Sequence, residues 1–151
     1  MTVRFRCVTR IAAPVDTVFD LALNIDAHRA SMAKFQERAV AGITSGQIGL
    51  GEHVTWRARH FGMTWTMTSR IVALARPWFF VDQQVRGPFA RFRHEHRFTS
   101  VGDGTEMVDE VSFGAPYGPV GALAGLALKP YLKRLVERRN GYLKELAERP
   151  A

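Results

Sequence analysis

Residues 91–113, RFRHEHRFTSVGDGTEMVDEVSF, decide the fold class of this chain. On both sides of a turn at residues 102–104, apolar side chains and histidines alternate with charged ones, which is the two-residue period of a half-buried strand. If the residue numbers of facing partners across that turn add up to an odd number, either His94 or His96 lies opposite Asp109. The stretch therefore predicts a β-hairpin whose inner face is apolar and carries a few ionisable groups.

Alternating segments recur through most of the chain. The strand candidates are residues 2–11, 35–41, 52–60, 63–73, 78–85, 90–99 and 105–113. After the first of them, Pro14 suits the first position of a short helix, and Asp26 is the expected N-cap of a second one within residues 24–33. Apolar residues at spacings of three, four and seven predict a long helix over residues 119–148, which Pro130 kinks or divides. Antiparallel strands covered by a helix make an α+β protein.

The composition is that of one globular domain, residues 1–151, with 46% hydrophobic and 23% charged residues. It excludes the disordered and collagen-like classes. The single cysteine, Cys7, cannot form an internal disulfide and argues against thiolate zinc sites, so we predict a cytoplasmic protein. Because every apolar segment is too short or too rich in glycine, we expect neither an export signal nor a membrane span.

The net charge of +7, from 21 basic and 14 acidic residues, is divided unevenly along the sequence. Residues 1–10 contribute +3 and residues 129–151 contribute +4, so residues 11–128, with 11 basic and 11 acidic residues, are neutral. This excess is not interleaved with exposed aromatics, which disfavours nucleic acid as a partner. It favours solubility, or docking to an anionic membrane surface or a protein partner.

Hairpin parity predicts which side chains share one face of the sheet. Pairing His60 with Met63 across a two-residue turn, and continuing through the next hairpins, sets Ile71 opposite Phe80 and Phe80 opposite His94. The resulting face is apolar and carries a few isolated polar residues. Its members are Val54, Trp56, Ala58, Trp65, Met67, Ser69, Ile71, Trp78, Phe80, Asp82, Gln84, Phe92, His94, His96, Phe98, Met107, Asp109, Val111 and Phe113. Aromatics and methionines around a few polar groups are typical of a pocket for a hydrophobic molecule with a polar end.

Three segments resemble a known family: GLGEHVTW at 49–56, RGPFARFRHEHRF at 86–98 and GTEMVDEVSFGAPYGPVG at 104–121. With the order of strand, two short helices, six strands and long helix, the chain resembles the helix-grip domains of the START, plant-allergen and polyketide cyclase/dehydrase superfamily (SRPBCC), above all its bacterial cyclase-like members. The family's H-x-H strand falls on His94 and His96, its T-x-x-x-D strand on Thr105 and Asp109, and its P-x-G motif on Pro116 and Gly118.

The resemblance implies a curved seven-stranded antiparallel sheet wrapped around the C-terminal helix. A cavity between the two is expected to hold a lipid, isoprenoid or polyketide-like molecule, without any cofactor. The expected ligand-binding residues are Trp56, Trp65, Met67, Phe80, Asp82, Gln84, Phe92, His94, His96, Met107, Asp109 and Val111. We expect residues 44–51 to form a mobile lid or an ordinary connection, and residues 120–128 to gate the mouth, touch a membrane or pack as a helix start.

Two chemical hypotheses share the histidine pair. His94 and His96, oriented by Asp109, are candidate acid/base groups for enolisation, aldol closure or dehydration of a bound carbonyl compound. The same pair with Asp109 or Asp82 is chemically admissible as a zinc site, although nothing else in the sequence supports a metal, and we predict none. Alternatively, the cluster is structural and satisfies itself.

Three functions therefore compete. The leading hypothesis is binding or transport of a hydrophobic small molecule. Its rival is a polyketide cyclase, aromatase or dehydratase that uses the candidate acid/base groups. The third is a protein or ribosome interaction module, which a basic surface would suit.

Overall fold

A computed structural model describes residues 1–150 and shows seven strands and three α-helices. In chain order they are β1 Val3–Ile11, α1 Val15–Ala22, α2 Ile25–Ser31, β2 Arg38–Gly42, β3 His53–His60, β4 Met63–Ala75, β5 Phe79–Arg86, β6 Arg91–Val101, β7 Gly104–Gly114 and α3 Gly118–Glu148. A short 3₁₀ turn, Ala33–Phe35, connects α2 to β2. The predicted strands and helices are all present, with bounds that differ by a few residues.

The strands form one antiparallel sheet in the order β1-β7-β6-β5-β4-β3-β2. Successive strands from β2 to β7 are neighbours, and β1 pairs with β7, so β1 and β2 are the two edges. The sheet curves around α3, which contacts β1, β7 and the two short helices. The predicted α+β helix-grip fold, with two short helices after the first strand, is confirmed.

The core consists of two clusters of buried side chains. In the first, Phe19 of α1 meets the rings of Phe80 and Phe98 edge-on, with ring centroids 5.7 and 5.1 Å apart. The second lies where β1 and β7 meet α3, and its members include Phe5 and Phe113. Each fully buried ring of this size contributes about 1.5–3 kcal/mol. Phe5 and Phe80 also face the cavity described below, so the two clusters support its walls.

Two of the predicted strand registers are wrong by two or more residues. Asp82 lies opposite Ile71 rather than Ser69, and it lies beside His94 rather than Phe92. The cause is turn geometry: β4 continues to Ala75 before it turns, and the pairing shifts by one residue between Ile71 and Ala73. The longer hairpin alone would have placed the predicted inward-facing residues of β4 and β5 on opposite faces. The one-residue bulge reverses that change, so the inward-facing residues are still largely those predicted. The other two hairpins agree with the prediction: β3–β4 has His60 opposite Met63, and β6–β7 has His96 opposite Asp109, one of the two pairings foreseen.

Helix α3 is continuous from Gly118 to Glu148, so Pro130 does not divide it. Its first turns pack closely on the preceding connection, since a Cβ at Gly121 would lie 1.7 Å from the carbonyl oxygen of Pro116. On the other side of these turns Val120 and Leu123 are exposed. The segment at residues 120–128 is therefore a close-packed helix start that also presents an apolar surface.

Two local predictions are corrected. Asn24, not Asp26, caps α2 by accepting a hydrogen bond from the Ala27 amide. Asp26 instead accepts a hydrogen bond from the amide of Gly46, and the neighbouring Ile48 is buried, which ties the glycine-rich loop to the helices. The loop is thus an ordered connection rather than a detached lid. No helix within residues 1–150 is both long and apolar enough to cross a membrane.

Candidate functional site

A cavity of about 930 Å³ lies between the concave face of the sheet and α3. Its walls come from β3 to β6, the ends of α1 and α2, the connection before α3 and the inner side of α3. Along α3 the lining runs from Val120 to Arg139, which corresponds to about 28 Å of helix. Most of the lining is aliphatic or aromatic, so the cavity suits a hydrophobic molecule.

The exposed members of the lining mark the mouth of the cavity. Phe61 at the tip of the β3–β4 hairpin is 63% exposed, and Tyr117 and Val120 at the start of α3 are 86% and 75% exposed. Both aromatic residues have positive φ, 56° for Phe61 and 74° for Tyr117. Such backbone strain in a bulky residue persists only where surrounding contacts hold it, and it is frequent at functional sites.

A hydrogen bond joins the hairpin tip to α3 across the cavity. His60 Nδ1 and the Tyr131 hydroxyl are 2.7 Å apart, and the Phe61 ring packs on Tyr131 with centroids 4.5 Å apart. Burial is the main cause that lowers the pKa of His60, so its ring is neutral at neutral pH. These three side chains close one side of the cavity with aromatic surface.

Deeper in the fold, charged residues converge on Asp109, which is fully buried. Its Oδ1 accepts hydrogen bonds from His94 Nε2 at 2.7 Å and from Arg139 Nη2 at 2.9 Å. Its Oδ2 accepts one from Asn140 Nδ2 at 2.6 Å, and the Asn140 amide oxygen in turn accepts from Arg139. We call Asp82, His94, His96, Asp109, Arg139 and Asn140 the polar cluster.

His96 connects the second carboxylate to the polar cluster. Its Nε2 donates to Asp82 Oδ2 at 2.6 Å, and its ring is stacked between those of Phe80 and His94, 4.0 and 3.7 Å away. Its Nδ1 lies 3.3 Å from Asp109 Oδ1 and is the one enclosed side-chain nitrogen or oxygen in residues 1–150 without a hydrogen bond. His96 is therefore held in place by stacking and by Asp82.

Burial and the neighbouring charges set the pKa values of the polar cluster. Burial, together with the adjacent His96, lowers the pKa of His94 to about 4 although Asp109 opposes this, so the ring is neutral at pH 7. Burial alone would raise the pKa of Asp109, but the Arg139 guanidinium and the His94 hydrogen bond hold it well below its usual range. The hydrogen bond from His96 likewise outweighs burial and lowers the pKa of Asp82.

Two atoms of the polar cluster have no partner in the fold and remain open to the cavity. A neutral His94 that donates through Nε2 has its lone pair on Nδ1, and this atom makes no hydrogen bond within residues 1–150 and is not enclosed. The same holds for Nη1 of Arg139, and both residues line the cavity. The wall therefore offers a hydrogen-bond acceptor on His94 and a donor on Arg139, and the Asp82 carboxylate lies near His94.

Eight of the twelve side chains predicted to contact a ligand lie on the cavity wall: Trp56, Trp65, Met67, Phe80, Asp82, Phe92, His94 and His96. The other four do not reach it. Gln84 turns to the backbone of Phe89, and Met107 and Val111 belong to the core clusters. Asp109 lies behind His94, to which it is hydrogen-bonded. Trp78, which was expected on the same face, lies outside β5 and is half exposed.

Arg139 belongs to the C-terminal segment that contributes +4 to the net charge, yet it is buried. Its position could have been predicted, because Leu132, Val136, Arg139 and Leu143 follow spacings of four, three and four on one helix face. Asn140 and Tyr131 were also missed. They carry no comparable signal, since their roles depend on contacts with Asp109 and His60 from distant strands.

Donor atoms of Asp82, His94 and His96 all lie within 4.8 Å of one another, which is close enough for one metal ion. However, both Nε2 atoms already donate to carboxylates, and the positive charge of Arg139 lies 2.9 Å from Asp109. Like charge next to a cation site weakens metal binding. The absence of a metal remains a prediction, which metal analysis of the purified protein would test.

A family model described as polyketide cyclase / dehydrase and lipid transport matches residues 2–148. No curated protein matches the chain at a significant level of sequence similarity.

Solved structures share the fold at low sequence identity. An aromatase/cyclase named Zhui from Streptomyces sp. R1128 superposes with a TM-score of 0.76 at 16% identity, over 99% of this chain and 95% of that chain. A START superfamily protein from Mycobacterium smegmatis gives 0.72 at 12% identity, over 95% and 98%. A protein from Thermus thermophilus gives 0.72 at 19% identity, over 95% of both chains.

Proposed function

The chain belongs to the polyketide cyclase / dehydrase and lipid transport family, and we propose that it binds a hydrophobic small molecule that carries a hydroxyl or carbonyl group at one end. The observation that carries the proposal is a cavity of about 930 Å³ with an apolar lining and two unpaired polar atoms on its wall. A hydrophobic ligand displaces water from these two atoms, so one that supplies both hydrogen bonds is favoured over one that supplies none.

The charge of the polar cluster selects the type of polar group. Asp82 and Asp109 bring two carboxylates to the polar cluster, and the Arg139 guanidinium is already paired with Asp109. A fatty-acid carboxylate placed beside Asp82 and Asp109 would be repelled. A hydroxyl donates to His94 Nδ1 and a carbonyl accepts from Arg139 Nη1, so phenols, enols and hydroxyketones fit this wall best.

The ligand would enter and leave at the mouth formed by Phe61, Tyr117 and Val120. Exposed apolar side chains around an opening reduce the cost of moving a hydrophobic molecule out of its carrier. Transfer to an anionic membrane surface or to a protein partner would occur at the same place. Because Tyr131 holds the hairpin tip against α3, exchange of the ligand requires that contact to loosen.

Native mass spectrometry of the protein purified from cells tests the proposal first, since a bound molecule of low polarity is expected. Thermal shift with added candidate ligands then measures binding. A matched pair of variants gives the control: Ala58→Met extends into the cavity and should reduce the shift, whereas Thr66→Met, on the outward face of β4, should not. If no hydrophobic molecule raises the melting temperature, the cavity is not a binding site and an interaction module becomes the better hypothesis.

A second function is favoured by the neutral His94 beside Arg139. Arg139 Nη1 would polarise a bound ketone while His94 Nδ1 removes the proton from the adjacent carbon. In a β-hydroxyketone, the proton taken by His94 then returns to the leaving hydroxyl, and an enone and water are formed. We place this second because a pKa of about 4 makes His94 a weak base at neutral pH.

The probe 3-hydroxy-1-tetralone separates binding from this chemistry. Loss of water gives an enone that tautomerises to 1-naphthol, which is fluorescent. A dehydratase would form 1-naphthol above the buffer rate, and His94→Gln would remove that gain while still binding 1-naphthol. A wild-type rate equal to that of buffer would contradict the catalytic hypothesis and leave binding as the function.

A further inference from the structure

A second concave region lies outside the cavity, at the β2 edge of the sheet. It is a cleft of about 700 Å³ between α2 and the 3₁₀ turn on one side and β2, β3 and β4 on the other. Arginine side chains from three elements line it: Arg29, Arg38, Arg57 and Arg59. We call this region the arginine cleft.

The strand register brings three of these arginines together. Arg38 on β2 lies directly opposite Arg57 on β3, which places their Cβ atoms about 5 Å apart. Arg59 is two residues further along β3 and so lies on the same outward face. Because β2 pairs with β3 only as far as Arg57, the strand edge beyond it is open, and α2 with Arg29 forms the facing wall.

Nothing in the fold neutralises these three side chains. Within residues 1–150, no carboxylate oxygen lies within 4.0 Å of Arg38, Arg57 or Arg59. Glu37, the acidic residue of the cleft, faces His28 at 3.3 Å instead, and Arg29 only reaches Asp26 at 4.0 Å. Like charges directly opposite on neighbouring strands are destabilising, so this arrangement favours an anion from outside the chain.

Some outward-facing arginines elsewhere on the sheet have carboxylate partners. Arg6 and Arg10 on β1 lie 3.7 and 3.4 Å from Glu110 and Glu106, and Arg93 on β6 lies 3.5 Å from Glu95. Arg4 and Arg70 have none within 4.0 Å among residues 1–150, but they do not line the cleft. The arginine cleft differs because it gathers its unpaired arginines in one concave region.

We propose that the arginine cleft binds a phosphate group. The planar guanidinium donates in pairs to adjacent phosphate oxygens, and a phosphate has enough oxygens for more than one arginine. Thr64, opposite Arg59, adds a hydroxyl donor to the same cleft. One hydrogen bond from Arg59 Nη2 to the Gly62 carbonyl, at 2.9 Å, fixes that side chain and leaves its other donors free.

The cleft adjoins the apolar cavity, since Glu37 and Ala58 line both. The phosphate therefore has two possible sources: a free phosphate compound, or the end group of an amphiphile whose apolar part occupies the cavity. Both supply the same chemistry to the arginines. The site itself does not depend on the proposed function of the cavity.

Calorimetric titration with inorganic pyrophosphate at low salt tests the site. We expect saturable 1:1 binding to the wild type, and affinity lower by about tenfold or more in Arg38→Gln/Arg57→Gln. The control is Arg70→Gln, which removes an exposed charge from the outward face of β4 outside the cleft and should change the affinity less than about twofold. Failure of the wild type to bind, or equal losses in the double variant and the control, would overturn the proposal.

Thermal unfolding shows whether a variant has lost only the binding site or has also lost its stability. Without pyrophosphate, the double variant should melt no lower than the wild type, because it loses only like-charge repulsion. Pyrophosphate should raise the melting temperature of the wild type and of Arg70→Gln but not that of the double variant. An equal rise in all three would place the anion elsewhere and contradict the proposal.

Two phosphate monoesters identify the source. If the phosphate belongs to an amphiphile, decyl phosphate should bind more tightly than methyl phosphate, and Ala58→Met should remove the difference. If the phosphate compound is free, the two esters should bind equally to each other, both in the wild type and in Ala58→Met. Either result with loss in the double variant supports the arginine cleft, and neither depends on whether the cavity binds an uncharged ligand.

Discussion

The polar cluster and the arginine cleft are two concentrations of charge in one sheet, and they are built in opposite ways. In the cluster, Arg139 lies 2.9 Å from Asp109, and both histidines donate to carboxylates. In the cleft, Arg38 and Arg57 lie opposite each other, and no carboxylate oxygen of residues 1–150 lies within 4.0 Å of either. Charges paired within the fold form a fixed surface that suits an uncharged ligand, whereas unpaired charges at an open edge favour a charged one.

The two regions should differ most in how strongly the loss of one arginine changes the free energy of unfolding. Arg139→Met leaves Asp109 buried without its guanidinium, which typically costs about 3–5 kcal/mol. Arg57→Gln removes an exposed charge that repels Arg38, so it should raise the free energy of unfolding by at most about 1 kcal/mol. Urea unfolding measures both. If the two variants were equally stable, the distinction between paired and unpaired charges would fail.

Acid should weaken the polar cluster and leave the arginine cleft unaffected. Since the pKa of His94 is about 4 in the fold and 6.5 in an unfolded chain, the unfolded state binds more protons between those values. The free energy of unfolding should therefore fall by roughly 3 kcal/mol as the pH decreases from about 6.5 to 4. His60 acts in the same direction, while the lowered pKa values of Asp82 and Asp109 reduce stability only below about pH 4.

The variant His94→Gln tests whether His94 causes this slope of the unfolding free energy against pH. It keeps a donor for Asp109 but removes the titrating ring, so its urea midpoint should change less between pH 7 and pH 4.5 than that of the wild type. Arg57→Gln should retain the full wild-type slope. A slope unchanged in His94→Gln would assign the effect to other groups.

A smaller effect is expected at the hairpin that separates the two regions. Arg59 and His60 are neighbours whose side chains point to the cleft and to the cavity. Tyr131→Phe removes the hydrogen bond to His60 and should cost about 0.5–1.5 kcal/mol. Stopped-flow fluorescence should show faster ligand exchange in the cavity, with pyrophosphate affinity unchanged. Slower exchange would contradict the role of Tyr131 in closing the cavity.

The smallest effect concerns salt. Repulsion between Arg38 and Arg57 should make Arg38→Gln/Arg57→Gln more stable than the wild type by up to about 1 kcal/mol at low ionic strength. Screening at about 1 M NaCl should reduce that difference, because the Debye length falls to about 3 Å. A difference that is independent of salt would point to packing rather than charge.

Much of the sheet could be predicted from alternation alone, because inward-facing residues have a period of two and a register error of two leaves the face unchanged. This is why Phe80, Asp82 and His94 were placed on the correct face although their partners were wrong. The neighbours themselves depend on turn length and on the bulge near Val72, which sequence periodicity does not encode. As a result, the contact between Asp82 and His96 was not foreseen.

The charged regions show a second limit. Summing charge over long segments made residues 11–128 neutral, yet the sheet register concentrates Arg38, Arg57 and Arg59 in one cleft while acidic residues pair with arginines elsewhere. Arg139 was overlooked because it entered only the charge sum of the C-terminal segment, although its helical spacing indicated the buried face. In both cases the position in the fold, and not the charge alone, determines the role.

Binding of two aromatic isosteres tests the central claim most directly. 2,3-Dihydroxynaphthalene can donate to His94 Nδ1 and accept from Arg139 Nη1, while 2,3-dimethylnaphthalene has the same shape without those bonds. Quenching of Trp56 and Trp65, which line the cavity, measures both affinities. We predict 1:1 binding of the diol at least about tenfold tighter than the hydrocarbon, and loss of that preference in His94→Leu. Equal affinities in the wild type, or a preference that survives in His94→Leu, would contradict the proposed recognition of a polar end by the cluster.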